Sequence, residues 1–148
     1  MTRGSDRMPA EELGVLIKSA QAVLNQRMDE ALRPLGLTVS QYACLQNLLD
    51  EPGITGSELA RRTFVSRQSA NVLLQGLERR GLIERSDDPG PRRERAIALT
   101  AEAKQLVATA RDEVAAVVTR MTAPLDGARL RTLLSELAAC RDALLQND

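Results

Sequence analysis

The sequence predicts a mainly α-helical protein with one small antiparallel β-hairpin, and three observations support this fold class. Tyr42 and Phe64 are the only aromatic residues, so the core has to be built from Leu, Ala and Val, which favours helix packing. Apolar residues recur at helical spacing through most of the chain. One segment, residues 82–100, has apolar runs around a Pro/Gly-rich centre, which is typical of two strands joined by a turn.

Two helices are predicted ahead of residue 54. The first starts near Glu11 and ends at Pro34 and Gly36, because proline interrupts a helix and glycine favours its C-terminus. Thr38 followed by Gln41 predicts a capping box, in which each side chain bonds the other residue's backbone N–H, so the second helix starts there. Its buried face is expected to carry Tyr42, Leu45, Leu48 and Leu49.

Residues 54–81 predict a short strand at 54–55 and then two short helices joined by a tight turn. Thr55, with Glu58 as a second capping box, and Ser66 are the expected N-caps. Gly81 ends the second helix, and Phe64 in the turn is interpreted as a core plug. This layout is a helix-turn-helix, whose second helix enters the major groove of DNA. The candidate groove residues are Ser66, Arg67, Gln68, Ser69 and Asn71.

The residue types at the start of that second helix suit base recognition. Arg can donate two hydrogen bonds to guanine, and Gln or Asn can form a pair of bonds with adenine. A good bidentate pair contributes about 1–3 kcal/mol of discrimination between bases. The N-terminus of the helix also favours a phosphate. The alternative interpretation of each of these side chains is a solvated helix face.

Residues 82–100 predict a wing, with strands at 82–83 and 96–99 on either side of an Arg-bearing tip. A wing Arg can enter a narrow minor groove, where the electrostatic potential is most negative. The candidates are Arg92, Arg93 and Arg95. Strand alternation places Arg93 and Arg95 on one face and Arg92 on the other, so not all three can insert, and Arg92 or Arg93 is favoured.

The net charge of the chain is zero, but basic residues concentrate in the predicted DNA-binding segment. Residues 54–100 hold nine Arg and six acidic residues, a local charge of +3, whereas the flanking segments 1–53 and 101–148 carry −2 and −1. A basic patch of this kind indicates a nucleic-acid partner better than the total charge does. Arg outnumbers Lys throughout, which suits phosphate and guanine contacts but also fits a GC-rich genome.

Composition argues against several other classes of protein. Without histidine, a Gly-rich phosphate loop or a GxSxG motif, we predict no enzyme activity, metal or cofactor. Cys44 and Cys140 lack CxxC spacing, and a structural thiol is favoured over a redox sensor. The lack of a run of about 18 apolar residues and of a signal peptide predicts a cytoplasmic protein with no membrane partner.

The terminal helices carry apolar stripes that a winged helix is too small to cover. The fifth helix is expected to start at Thr100, and Pro124 and Gly127 are expected to break it before a sixth. Long stripes without an intramolecular partner favour a helical dimer interface. We therefore predict a dimerisation region at residues 11–36 and 101–148 and a winged helix-turn-helix DNA-binding domain at 37–100.

These parts, in this order, resemble the MarR family of bacterial transcription regulators. The matching segments are residues 37–49, 57–85 and 87–107, of which LERRGLIER and the wing ending in ALT are the most specific. The resemblance implies a homodimeric repressor that binds double-stranded DNA at a pseudo-palindromic operator and, less directly, release by a small ligand. Such a ligand would lie between the dimer helices and the winged helix, where Tyr42 is the one aromatic candidate donor, with a core position as its alternative.

Three features depart from that family's pattern. Pro91 stands where an Asp commonly braces the wing, and Val72 and Gly76 stand where basic residues are frequent, so fewer phosphate contacts are expected from the second helix. Phe64 stands where older helix-turn-helix proteins favour Gly. Two other functions stay open: a cysteine-based redox-sensing regulator, and a winged helix that binds protein without DNA. The basic, polar first turn of the second helix argues against the latter.

Overall fold

The computed structural model describes residues 8–86 and 96–146. Within these ranges the chain forms six α-helices and one antiparallel pair of strands, as the sequence predicts, together with a 3-10 turn at Arg33–Leu35 that was not predicted. The elements are α1 (Pro9–Leu32), α2 (Val39–Asp50), α3 (Gly56–Thr63), α4 (Arg67–Arg79), β1 (Ile83–Arg85), β2 (Ile97–Leu99), α5 (Ala101–Thr122) and α6 (Gly127–Leu145).

The junction between α1 and α2 has the geometry that its sequence predicts. Pro34 lies in the 3-10 turn, and Gly36 adopts a left-handed backbone with φ of 71°, which ends the helical path. The Thr38 hydroxyl accepts a hydrogen bond from the Gln41 N–H at 3.1 Å, and Gln41 Oε1 accepts one from the Thr38 N–H at 3.0 Å. The predicted capping box is therefore confirmed.

The helices α3 and α4 pack against each other on either side of a three-residue turn. The Thr55 hydroxyl accepts the Glu58 N–H, and the Ser66 hydroxyl accepts the Ser69 N–H at 3.0 Å, so both predicted N-caps are confirmed. These bonds satisfy N–H groups that have no partner inside the helix. The start of α4 is consequently well defined.

The end of α4 is closed by a Schellman motif. Gly81 has φ of 73° and its N–H bonds the Glu78 carbonyl at 3.0 Å, while the Leu82 N–H bonds the Leu77 carbonyl at 3.0 Å. Only a residue that tolerates the left-handed region fits between these two bonds, which is why Gly81 marks this position in the sequence. The motif leads the chain from α4 directly into β1.

One hydrophobic core joins the elements up to the first three turns of α5. Tyr42 is 3% exposed, and Cys44, Leu45 and Leu48 complete the buried face of α2. Leu49 is only half-buried and packs at the edge of this core. The other core residues are Leu32, Leu37, Ile54, Leu59, Leu74, Leu77, Leu82, Ile83, Ile97, Ala103, Val107 and Ala110.

Phe64 is not the core plug that the sequence suggested, because its side chain is 74% exposed. The Phe64 N–H bonds the Arg61 carbonyl and the Val65 N–H bonds the Ala60 carbonyl, so α3 also ends in a Schellman motif. Phe64 occupies the left-handed position of this Schellman motif, with φ of 56°. That backbone conformation directs the chain towards α4 and leaves the aromatic ring in solvent.

Two further expectations about local structure were wrong. Residues 54–55 do not form a strand. The side chain of Ile54 is buried in the core, and Thr55 caps α3 by accepting the Glu58 N–H. Gly127 does not act as a break, since it is the first residue of α6. Asp126 caps that helix by accepting the Arg129 N–H at 2.8 Å. The turn at residues 123–126 separates α5 from α6.

The chain divides into two compact units, one that extends to Val114 and one that begins at Ala115. In the second unit, five leucines of α6 are 38–87% exposed: Leu133, Leu134, Leu137, Leu144 and Leu145. In the first unit, α1 exposes Leu13, Val15, Leu16, Ile17 and Val23. Among the helices that the structure describes, none is long and apolar enough to cross a membrane.

Candidate DNA-binding surface

Three buried residues decide which face of α4 is available to a partner. Ala70, Leu74 and Leu77 are buried in the first unit and lie on one side of the helix. Because an α-helix has 3.6 residues per turn, positions on the opposite side follow directly. We call this opposite side the α4 outer face. It consists of Gln68, Val72, Gln75 and Arg79, all of which are exposed.

The five groove residues predicted from the sequence are all exposed, at the cap and first turns of α4. Gln68 lies on the α4 outer face, with Ser69 and Asn71 on its two flanks. The structure brings Ser66 and Ser69 together, because the Ser66 hydroxyl accepts the Ser69 N–H and donates to the Ser69 hydroxyl at 2.9 Å. Both serine hydroxyls therefore help to hold the helix start that would approach DNA.

Arg67 and Asn71 lie on the side of α4 that is turned towards α3. The Arg67 guanidinium donates a hydrogen bond to the Ser57 hydroxyl in the first turn of α3. Asn71 Oδ1 lies 3.7 Å from the point that a Cβ on Gly56 would occupy. Arg67 would have to leave Ser57 before it could bond a guanine, and its predicted role in base recognition stays a prediction.

The sequence did not single out two residues of the α4 outer face, Gln75 and Arg79, as candidate contacts. Both line a shallow pocket of about 300 Å³ together with Glu78. The signal was available, because counting in steps of four and three from the predicted contact Gln68 leads through Val72 to Gln75 and Arg79 on the same side of the helix. A side chain two or three turns into the helix can still face the groove when it shares this side.

The two arginines at the end of α4 have different surroundings. Arg80 Nη1 donates to the Gly36 carbonyl at 2.8 Å and lies 3.4 Å from Gln41 Oε1, so it holds α4 to the corner between α1 and α2. Arg79, by contrast, lies on the α4 outer face and is exposed. Of the two, Arg79 is available to a phosphate.

The base of the wing is described, whereas its tip lies outside the described residues. Arg92, Arg93 and Arg95 belong to the tip, as does Pro91. At the base, β1 pairs with β2 in the register Ile83↔Leu99, Glu84↔Ala98 and Arg85↔Ile97.

The wing base is linked to α4 by an ion pair. Arg85 Nε lies 3.2 Å from Glu78 Oε2, and the Arg85 guanidinium is largely buried. Within the described residues, neither Nε nor Nη2 of Arg85 has hydrogen-bonding geometry to a partner, so the Glu78 contact is a charge interaction. Water is excluded from only one side of this pair, because the Glu78 side chain is 47% exposed, so the attraction is weaker than between two buried charges.

The buried position of Cys44 favours its interpretation as a structural thiol. Burial raises the pKa of the Cys44 thiol to about 12. The thiolate is the reactive form of cysteine, so a thiol that stays protonated is a poor sensor of oxidants. Cys140, on α6, is exposed. Tyr42 lies in the core, and a role for it towards a ligand stays a prediction.

Comparison with known proteins identifies the family. The MarR family model matches residues 35–94, which include α2, α3, α4 and β1. The HTH-type transcriptional repressor Rv2887 of Mycobacterium tuberculosis is 38% identical over 116 residues, covering 76% of this chain and 84% of that protein. This chain belongs to the MarR family. Its curated relatives are transcription regulators and not enzymes.

Crystal structures of Rv2887 share the fold of this MarR family protein. The complex of Rv2887 with DNA has a TM-score of 0.68 at 33% identity and covers 86% of this chain and 96% of that one. The complex with salicylic acid has a TM-score of 0.70 at 33% identity, with 91% and 98% covered. The winged helix-turn-helix fold predicted from the sequence is thereby confirmed.

Proposed function

We propose that this MarR family protein is a sequence-specific DNA-binding repressor that acts as a homodimer on a pseudo-palindromic operator. The observation that carries the proposal is the α4 outer face, an exposed and largely polar side of the second helix of a helix-turn-helix. It lies in the segment of local charge +3. The relative Rv2887 is known in complex with DNA, which supports this function.

The size of α4 fits the major groove. Its 13 residues span about 20 Å, and a major groove about 12 Å wide admits an α-helix. We propose that Gln68, Ser69 and Asn71 contact base edges, and that Ser66 with the helix N-terminus contacts a phosphate. Arg67 joins them once it leaves Ser57. The wing residues Arg92, Arg93 and Arg95 are proposed to contact the minor groove and the DNA backbone.

The exposed apolar residues of α1 and α6 support the homodimer. Exposed leucines in this number on a helix mark an interaction surface, because contact with water is unfavourable for them. We propose that residues 11–36 and 101–148 form the dimerisation region and that 37–100 form the DNA-binding domain. Two α4 helices about 34 Å apart would then read one turn of DNA. A bacterial regulator of this kind would act in the cytoplasm, where the chromosome lies.

Release of the operator by a small-molecule effector is part of the proposal. The complex of Rv2887 with salicylic acid supports it, because that relative takes a small ligand on the same fold. A ligand changes operator affinity only if it binds one conformation of the dimer better than the other. Salicylate is therefore a reasonable first probe, and its addition to a preformed protein–DNA complex should release DNA.

Titration of a fluorescent duplex from the region upstream of the coding sequence tests the function. We expect binding at least about 1,000-fold tighter than to a scrambled duplex, with affinity that falls steeply as salt rises. The variant Gln68→Ala should lose affinity, whereas Gln105→Ala, an exposed glutamine on α5, should bind as wild type. Absence of salt-sensitive DNA binding would contradict the proposal and favour a protein-binding module.

A further inference from the structure

The α4 outer face holds one apolar side chain among polar ones. Val72 is 62% exposed, and the other three members of this face are Gln68, Gln75 and Arg79. Valine is also a weaker helix former than most residues, because its branched Cβ restricts the side chain in a helix. Neither burial nor helix propensity therefore accounts for a valine at this position.

Gly76 lies one helical turn beyond Val72 and is equally unexplained by the fold. Glycine inside a helix destabilises it by about 1 kcal/mol relative to alanine. A Cβ added at Gly76 would meet no atom within 4 Å, so no contact in the described part of the chain excludes alanine. Residues four apart are neighbours on a helix surface. Val72 and the open space at Gly76 therefore adjoin on the helix surface, and we call the two together the Val72 notch.

The Val72 notch is continuous with the proposed groove contacts, because Gln68 lies one turn before Val72 on the same face. Along the edges of the bases in the major groove, the C5-methyl of thymine is the apolar group. A protein partner fits less well, since protein interfaces are built on larger apolar anchors than one valine between glutamines.

We propose that Val72 reads the C5-methyl group of a thymine in each operator half-site, and that Gly76 keeps the space beside it open so that α4 approaches the DNA closely. The inference rests on the proposed function, because it requires α4 to lie in the major groove. It adds an apolar contact to the base contacts proposed for α4, which are otherwise all made by polar side chains. It also gives a role to two residues that depart from the family's basic pattern.

Replacement of thymine by uracil tests the contact with Val72, because it removes only the C5-methyl group. The probe is a duplex selected by the protein from a random library, with each thymine of one half-site replaced in turn. We expect one replacement to weaken binding about fourfold, the factor that corresponds to burial of one methyl group. Val72→Ala should bind the thymine and uracil duplexes equally. Val65→Ala, which shortens an exposed valine in the turn before α4, should discriminate as wild type does.

Gly76→Ala gives a second, independent readout. The variant should unfold at a higher urea concentration than wild type, because alanine favours the helix. It should also bind the selected duplex about fivefold more weakly or worse, because the added methyl enters a close contact. A glycine with no role at the DNA would gain stability and keep its affinity.

Besides unchanged affinity of Gly76→Ala, three results would overturn the inference. The first is equal binding of the thymine and uracil duplexes at every position, and the second is full discrimination by Val72→Ala. In both cases sequence-specific binding survives, so the proposed function stands while Val72 is not the thymine reader. The third is a protein that selects no duplex from the library, which removes the proposed function together with the inference.

Discussion

Phe64 shows how one backbone angle decides the place of a side chain. A non-glycine residue in the left-handed region is destabilised by about 1–2 kcal/mol, because its Cβ approaches the following carbonyl oxygen. Phe64 adopts this conformation with its ring in solvent, so the ring loses little contact with the protein if it is removed. The local sequence gives no sign of this angle, since an aromatic residue between two helices is equally compatible with a buried ring.

Replacement of Phe64 by glycine should therefore stabilise the fold. We expect Phe64→Gly to raise the free energy of unfolding by about 0.5–1 kcal/mol. Glycine removes the unfavourable left-handed angle, and the larger entropy of glycine in the unfolded chain offsets part of this gain. Urea denaturation measures the change. Phe64→Ala is the control, since alanine keeps the unfavourable angle and should gain nothing. A loss of about 3 kcal/mol or more in both variants would instead indicate a buried ring.

The two cysteines should differ sharply in reactivity. In the native protein a thiol reagent such as DTNB should modify Cys140 quickly and leave Cys44 untouched, whereas both should react in denaturant. The amount of chromophore released per chain gives the number of thiols that react. Fast modification of two thiols in the folded protein would contradict the buried position of Cys44 and reopen the redox-sensing function.

Cys44 also predicts how stability depends on pH. The pKa of its thiol is about 12 in the folded protein, above the value of about 8.5 in an unfolded chain. The contribution to stability is therefore complete below about pH 8.5 and is lost as pH rises through the interval up to 12, because the unfolded state releases its proton first. Urea midpoints above pH 8.5 should fall less steeply in Cys44→Ala than in wild type. Identical slopes would contradict the raised pKa.

At the scale of elements, α4 is held at both ends by contacts that its sequence predicts to different degrees. The Ser66 cap and the Gly81 terminus depend on residues within a few positions, so local sequence was sufficient to predict them. The contact of Arg67 with Ser57 and that of Arg80 with Gly36 depend on how helices cross, which a single sequence does not reveal. Residues 54–55 failed as a strand for the same reason, because strand formation requires a non-local partner.

Arg79 and Arg80 should give opposite phenotypes. Arg80→Ala should lower the free energy of unfolding by about 1–2 kcal/mol, because the Gly36 carbonyl loses a charged hydrogen-bond donor. Arg79→Ala should leave stability unchanged and weaken binding to cognate and scrambled duplexes alike. If Arg79 contacts a phosphate, the slope of log affinity against log salt should decrease by about 0.9.

Each arginine variant is the control for the other. Urea denaturation and DNA titrations at several salt concentrations measure both effects on the same protein preparations. The assignment would be wrong if Arg79→Ala destabilised the fold, or if Arg80→Ala lowered the salt slope without a change in stability.

At the scale of the whole molecule, one hydrophobic core accounts for the buried residues of the first unit but not for the exposed apolar residues of α1 or the exposed leucines of α6. The helical stripes were correctly predicted from spacing, yet spacing alone does not distinguish a core from an interface. The exposure of five α6 leucines in a single copy of the chain is what points to a second copy. The DNA-binding segment, in contrast, was predicted from a local pattern of caps, charges and turns.

A charge on α6 tests the proposed dimer. In that dimer Leu134→Glu removes one interface leucine per subunit, each worth about 1.5–3 kcal/mol, and twofold symmetry doubles the loss. The dimer dissociation constant should therefore rise at least about 100-fold, as measured by analytical ultracentrifugation. Ser135→Glu places the same charge on the next residue, which is outside the leucine stripe, and should remain dimeric. A dimer that survives Leu134→Glu would place the interface elsewhere.

Thr100 links three parts of the first unit through one side chain. Its single O–H is shared between the carbonyl oxygens of Gly81 and Leu82, at 2.9 and 3.3 Å, and its oxygen accepts the Ala103 N–H at 3.3 Å. The end of α4, the approach to β1 and the first turn of α5 therefore share a single side chain. A movement of α4 relative to β1 and α5 would therefore have to break these bonds. We expect the hydrogen-bonded amides of Gly81, Leu82, Ala103 and Lys104 to exchange hydrogen with deuterium together, in one cooperative opening.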